Sequence, residues 1–246
     1  MGSLLSVQGP NVSERFTYDT LGRQATATRL VQGAPLAVAY TYDTVTGLRD
    51  TLSYPTTGGV APLRVRHRYD RQRLVELADA DTGVSFWRLE SADSHGHAAA
   101  ELLGNGVRIA SSYDPATGLL TQRTAGPGGG SSHQNLAFEW DAAGNLARRT
   151  ERNSGAEETF AYDAVNRLDQ VQRGGVQALD LAYDAVGNLT YKSDAGQYRY
   201  DAARGNALVS AGTNTYSYDG NGAVANASGT TIVWQSFDLP SRVMHP

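Results

Sequence analysis

One nine-residue pattern constrains this chain more than any other feature. Phe160-Ala161-Tyr162-Asp163-Ala164-Val165-Asn166-Arg167-Leu168 is followed 21 residues later by Leu181-Ala182-Tyr183-Asp184-Ala185-Val186-Gly187-Asn188-Leu189. Both read as an apolar residue, any residue, Tyr, Asp, two small residues, Gly or Asn, a polar residue and an apolar residue. Such a pattern specifies strand, tight turn, strand. Aromatic-Asp pairs recur at Tyr18-Asp19, Tyr42-Asp43, Tyr69-Asp70, Tyr113-Asp114, Trp140-Asp141, Tyr162-Asp163, Tyr183-Asp184, Tyr200-Asp201, Tyr218-Asp219 and Phe237-Asp238. The Asp spacings are 24, 27, 44, 27, 22, 21, 17, 18 and 19. The 44 predicts a degenerate unit, and Asp93, in Ala92-Asp93-Ser94-His95-Gly96, divides it into 23 and 21. Eleven turns result, the last incomplete, and a repeat of this period governs the whole fold.

The runs before the turns alternate with period two. Leu63, Val65, His67 and Tyr69 share a face, and Arg64, Arg66 and Arg68 share the other. Leu136, Phe138 and Trp140, and Leu179, Leu181 and Tyr183, behave alike. This is the signature of half-buried antiparallel strands. An apolar residue recurs five positions past the Asp and opens the return strand, at Leu48, Val75, Leu119, Leu146, Leu168, Leu189, Val224 and Val243; Asn206 breaks the pattern, and Leu208 takes its role. The Asp carboxylate is expected to cap backbone N–H groups two or three residues on. Gly22, Gly144, Gly187 and Gly222, and Asn166 in the same place, supply the positive φ the turn demands. No helical pattern exceeds about two turns; Ala98 to Leu103 comes nearest and ends at Gly104.

Geometry predicts the kind of object. A unit of about 21 residues holds two strands of about 20 Å. About 20 strands at about 4.8 Å spacing make a sheet on the order of 100 Å, which must twist, curl or close. The expected fold is all-β, a strongly curved antiparallel hairpin ribbon over residues 13–246, with residues 1–12 poorly ordered. The Gly126-Pro127-Gly128-Gly129-Gly130 run reads as a loop rather than a domain joint, since the repeat continues across it.

Composition excludes several classes. With 246 residues and 40% hydrophobic, the chain can build a core. A formal charge of −4 argues against nucleic acid or a membrane surface as an obligate partner. There is no Cys, hence no disulfide and no thiolate metal site. No apolar run reaches the length of a membrane span, and the N-terminus lacks a signal-peptide pattern. The chain stops at His245-Pro246 inside a turn unit, which reads as a fragment of a longer protein.

These residues resemble the YD-repeat, or Rhs, family. Tyr18-Asp19-Thr20-Leu21-Gly22-Arg23, the Tyr162 and Tyr183 turns, Trp87 through Asp93, Leu103 through Val107, Tyr113 through Leu119 and Trp234 through Pro240 carry the likeness. It covers the chain from about residue 13 onward. The resemblance implies an arc of a hollow β-cocoon that encloses a C-terminal toxin or other cargo, in a secreted or surface bacterial protein. It also implies a downstream core segment with a self-cleaving aspartate, which this sequence lacks. The implied partner is the rest of the parent chain. Exposed strand edges add an expectation of self-association.

Other chemistry weighs less. Regular Asp residues could form a calcium array, but each is followed by Ala, Thr or Pro rather than a second ligand. His95 and His97 could chelate a metal, but no third ligand stands out nearby, so they read as solvated turn residues. Tyr and Trp could stack on a glycan, and Arg64 to Arg73 form a basic patch, so a glycan- or partner-binding adhesion module is the alternative function. No nucleophile elbow, zinc-protease helix or phosphate loop is present. The sequence therefore predicts no enzyme, no cofactor and no metal, and its site residues are the structural turn residues named above.

Overall fold

The computed structural model describes residues 3–9, 12–31, 33–56, 59–235 and 239–245. The chain packs as two units, Met1–Asn135 and Leu136–Pro246. All regular elements among the described residues are strands.

The first unit contains β1 (Ser6–Gly9), β2 (Val12–Tyr18), β3 (Gln24–Val31), β4 (Ala34–Tyr42), β5 (Arg49–Ser53), β6 (Arg64–Asp70), β7 (Arg73–Asp79), β8 (Ser85–Ala92), β9 (Ala98–Leu103), β10 (Val107–Tyr113) and β11 (Leu120–Pro127). The division falls inside β12 (Gln134–Trp140). The second unit continues with β13 (Leu146–Glu151), β14 (Ala156–Tyr162), β15 (Leu168–Arg173), β16 (Val176–Tyr183), β17 (Leu189–Lys192), β18 (Gly196–Tyr200), β19 (Leu208–Ala211), β20 (Asn214–Tyr218), β21 (Val224–Ala227), β22 (Thr230–Trp234) and β23 (Pro240–Met244).

Within each unit every strand pairs antiparallel with its neighbours in sequence. Among the described residues, contacts between elements likewise join only successive strands within each unit. That is the logic of a repeat protein, in which each unit rests on its immediate neighbours. The consequence is a thin core. Val65, Ala78, Ala100, Val171 and Ala211 are buried, and among the described residues no large side chain is fully enclosed. The predicted faces hold: Val65 is buried on β6 while Arg64 and Arg68 on the other face are exposed. Ala98–Leu103, the nearest thing to a helix in the sequence, is strand β9. β1 lies inside the 1–12 segment expected outside the repeat, and pairs Val7 with Glu14.

One irregularity recurs at the same place in nearly every hairpin. The register shifts just before the aromatic residue, between Thr17 and Tyr18, Thr41 and Tyr42, Ser112 and Tyr113, Ala161 and Tyr162, Ala182 and Tyr183, Arg199 and Tyr200, and Ser217 and Tyr218. Thus Ala161 opposes Gln170 while Tyr162 opposes Leu168, leaving Asp169 unpaired on the return strand. A bulge of this kind adds twist and re-aims the side chains beside it. Here it re-aims the Tyr that precedes each turn.

Candidate functional site, the Tyr-Asp turn edge

The Tyr-Asp turns close the β2–β3, β4–β5, β6–β7, β8–β9, β10–β11, β12–β13, β14–β15, β16–β17, β18–β19 and β20–β21 hairpins, so they share one edge of the sheet in each unit. The Asp163 turn shows the construction. The Asp163 N–H donates to the Arg167 carbonyl at 2.9 Å, and the Asn166 N–H returns to the Asp163 carbonyl at 3.0 Å. Asp163 Oδ1 accepts from the N–H groups of Val165 (3.0 Å) and Arg167 (2.9 Å). Asn166 sits at φ 62, and Gly187, its counterpart in the next turn, at φ 96. A side chain with a branched Cβ is strained there, whereas Gly and Asn are not.

Asp19, Asp93, Asp141, Asp184 and Asp219 repeat this arrangement, each Oδ1 accepting from the residues two and four places on. Asp43 and Asp114 close a turn one residue longer. Their Oδ1 takes the N–H groups two and three places on, together with the Thr46 or Thr117 hydroxyl. Asp201 does the same with Ala203 and Arg204.

Backbone N–H donors hold the Asp43, Asp114, Asp163 and Asp201 carboxyls below the ordinary aspartate value. For Asp43 and Asp114 the first cause is the N–H of Thr46 or Thr117, and for Asp163 it is that of Arg167. For Asp141 it is the Asn145 side-chain amide.

Two predicted turns depart from the pattern. Asp70 ends its strand opposite Arg73, and the turn is only Arg71 and Gln72, at φ 48 and 71. A two-residue turn with both residues left-handed closes through the strand ladder itself. The carboxylate cap assigned to Asp70 is therefore replaced by backbone pairing. The Phe237-Asp238 pair lies outside the described residues. In that unit Trp234 opposes Pro240 after a bulge, and the Gln235 N–H donates to the Leu239 carbonyl at 2.9 Å. Trp234 and Gln235 thus hold the Tyr and Asp places, and the return strand opens at Pro240 rather than at Val243.

The aromatic residues complete the joint. Tyr42, Tyr113, Tyr162, Tyr183, Tyr200 and Tyr218 each donate a phenolic hydrogen bond to the backbone carbonyl of the first residue of the preceding return strand. Those acceptors are Gln24, Ala98, Leu146, Leu168, Leu189 and Leu208, at 2.8–3.2 Å. Trp234 Nε1 plays the same part toward Val224 at 2.7 Å. Tyr18 reaches the Leu4 carbonyl at 2.7 Å. Burial, first among the causes, pushes the Tyr162 and Tyr200 phenols above their ordinary value, so they remain donors.

A second link was not assigned from sequence. The polar residue four past the Asp binds its own carboxylate and reaches the next unit. Arg167 Nε holds Asp163 Oδ2 at 2.7 Å, its Nη1 donates to the Asp184 carbonyl at 3.1 Å, and its guanidinium lies 4.6 Å from the centre of the Tyr183 ring. Arg23 treats Asp19 and Tyr42 alike. Asn188 joins Asp184 to the Gly205 carbonyl, and Asn145 joins Asp141 to Asn166. His97 takes the same position beside Asp93 and lies tilted against the Tyr113 ring, 4.6 Å between centroids. The polar place in the repeat was visible, but a local pattern carries no sign of what it touches one unit away. Asp79 also caps a turn, on the opposite edge, through Asp81 and Thr82. It went unnoticed because Ala78, not an aromatic residue, precedes it.

Three arginines of the basic patch have close partners within the fold. Arg64 pairs with Asp81 at 2.7 Å, Arg68 with Glu76 at 2.9 Å, and Arg73 donates to the Gly96 carbonyl at 2.6 Å. No helix among the described residues is long and apolar enough to cross a membrane.

A family model described as teneurin YD-shell matches residues 101–239, more than half of the chain. No curated protein matches it. Among solved structures, one of the Photorhabdus luminescens Tc holotoxin pore aligns with 98% of this chain and 17% of its own, at 14% identity and a TM-score of 0.49. A crystal structure of TcdB2-TccC3 without the hypervariable C-terminal region aligns with 96% and 13%, at 15% identity and a TM-score of 0.47. A TcdB2-TccC3-TEV structure aligns with 96% and 13%, at 14% identity and 0.44. The chain thus spans less than a fifth of the length of the solved chains it matches.

Proposed function

Because this chain belongs to the teneurin YD-shell family, we propose that it is a stretch of shell wall whose task is to enclose a C-terminal toxin or other cargo of its parent chain, without chemistry of its own. The observation that carries this reading is the repeated joint. The hydroxyls of Tyr42, Tyr113, Tyr162, Tyr183, Tyr200 and Tyr218 each fasten a hairpin to the backbone of the one before, and Arg23 and Arg167 reach on to the one after. Such joints suit a continuous wall one sheet thick. The turn carboxylates are occupied by N–H groups, which supports a structural rather than a reactive role. On the same reading the parent acts outside the cell that makes it. Arg64, Arg68 and Arg73 already have partners within the fold, which weighs against the basic-patch form of the alternative.

The test is protease protection in the full-length parent. A cleavage site placed in the C-terminal cargo is expected to resist a specific protease in the native protein. It is expected to become sensitive when Tyr162→Phe, Tyr183→Phe and Gly212→Val loosen the wall. Rapid cleavage in the unsubstituted protein at native conditions contradicts enclosure.

A further inference from the structure

The fourth turn differs from its siblings in one respect. Where Arg23 and Arg167 clamp their aspartates with a guanidinium, the Asp93 turn carries His97, and His95 stands two residues before it. Asp93 Oδ1 is occupied in closing the turn, by the N–H groups of His95 (2.9 Å) and His97 (2.8 Å). Its second oxygen, Oδ2, faces His97 Nδ1 at 2.8 Å. The His95 and His97 rings lie side by side, 5.9 Å apart and 26° from parallel. One donor atom from each of Asp93, His95 and His97 falls within 4.8 Å of the others. Among the described residues no other three carboxylate or imidazole groups gather so closely.

We propose that Asp93, His95 and His97 form a binding site for one divalent transition-metal ion of the zinc, nickel or copper kind. Two imidazoles and a carboxylate are the ligand chemistry those ions favour over calcium or magnesium. Ligand bonds near 2.0–2.1 Å put donors about 2.8–3.0 Å apart at the right angles of nickel or copper and about 3.3–3.4 Å apart at the tetrahedral angle of zinc; Asp93 Oδ2 and His97 Nδ1 stand 2.8 Å apart, so they fit the first as they are and need to open by only about half an ångström for the second. Binding takes the place of the proton on His97 Nδ1; the neutral ring then carries its one proton on Nε2, and no net proton is lost. An imidazole nitrogen of His95 supplies the third ligand, and water the remaining positions. The turn need not reopen, because its closure rests on Oδ1 and the backbone, not on Oδ2. The His97 ring also lies tilted against Tyr113 of the following hairpin, 4.6 Å between centroids, so an ion on Nδ1 fixes the ring that makes this contact where other units use a guanidinium. This departs from the sequence expectation of no metal. A turn read as lacking a third ligand has one in its own capping aspartate.

The test is a calorimetric titration of the purified chain with Zn²⁺, and separately with Ni²⁺, in a non-chelating buffer. One saturable equivalent is expected, reversed by a chelator. His95→Ala should weaken binding by on the order of tenfold or more, the loss that even an outer-shell change can produce. His97→Arg rebuilds the Arg–Asp clamp of the Asp19 and Asp163 turns, so it should keep the native circular dichroism and melting temperature while losing the metal. His133→Ala, remote in sequence, should bind as the unsubstituted chain does. Absence of a saturable equivalent overturns the proposal, and so does binding that survives unchanged in a folded His97→Arg or His95→Ala chain.

Discussion

The Tyr183 hydroxyl donates to the Leu168 carbonyl at 2.9 Å, joining the turn of one hairpin to the first return-strand residue of the hairpin before it. The bond is made because a bulge between Ala182 and Tyr183 changes the aim of the ring. Tyr183→Phe removes the donor and keeps the ring, so it isolates that bond. A loss of about 1 kcal/mol in unfolding free energy is expected from urea denaturation. A ΔG equal to that of the unsubstituted chain would show that the hydroxyl contributes nothing to the joint.

Gly187 and Asn166 occupy the same left-handed place in neighbouring turns. Nothing lies within 4 Å of a Cβ built on Gly187, so any cost of a side chain there comes from the backbone alone. Gly187→Val should destabilise by about 1–3 kcal/mol, while Gly187→Asn should cost well under half of that. Equal losses for the two variants contradict the φ argument.

Gly212 presents the opposite case. A Cβ there would stand 1.8 Å from the Ala195 carbonyl oxygen, where two turns of the other edge meet backbone to backbone. Even Gly212→Ala forces the two turns apart. A loss of about 2 kcal/mol or more is expected, larger than that of Gly187→Ala, and paired thermal melts of the two variants decide it.

Acid should unfold this chain through its turn carboxylates. The pKa values of Asp43, Asp114, Asp141, Asp163 and Asp201 are lowered in the fold, by backbone N–H donors or, at Asp141, first by the Asn145 amide. A group with a depressed folded pKa stabilises the native state above its unfolded value, about 3.9 for aspartate, and loses that contribution as pH falls through the folded value. Melting temperature should therefore be level from neutral pH to about 5, then fall steeply below about 4. Asp163→Asn keeps an oxygen for the turn and should blunt only part of that fall, whereas Asp163→Ala should already melt lower at neutral pH. A melting temperature constant down to pH 2 contradicts the capping account.

The repeat made the strands, the turns and the two faces legible, because each is set by residues close together in sequence. Asp163 and Asn166 announce their turn within four positions. The joints between hairpins were not legible in the same way. The partner of Tyr183 is a backbone carbonyl, which every residue possesses, and it is reached only through a bulge that leaves no residue signature. Arg167 and His97 stood in plain view as the polar place in the pattern, yet their second contacts lie a whole unit away. Asp70 shows the reverse error, since the Tyr-Asp pair is present but the two-residue turn of Arg71 and Gln72 needs no cap. Trp234 and Gln235 show that the joint can be built from other residues, for an indole N–H serves where the phenol does.

The central claim is that tyrosine joints tie successive hairpins to one another within each unit. Its most direct test is native-state hydrogen exchange on the chain carrying Tyr162→Phe, Tyr183→Phe, Tyr200→Phe and Tyr218→Phe together. The account predicts that strand amides of β14 to β21 lose protection as a group, by about a factor of ten for each kcal/mol and a half removed. Protection of those amides unchanged from the unsubstituted chain would contradict it.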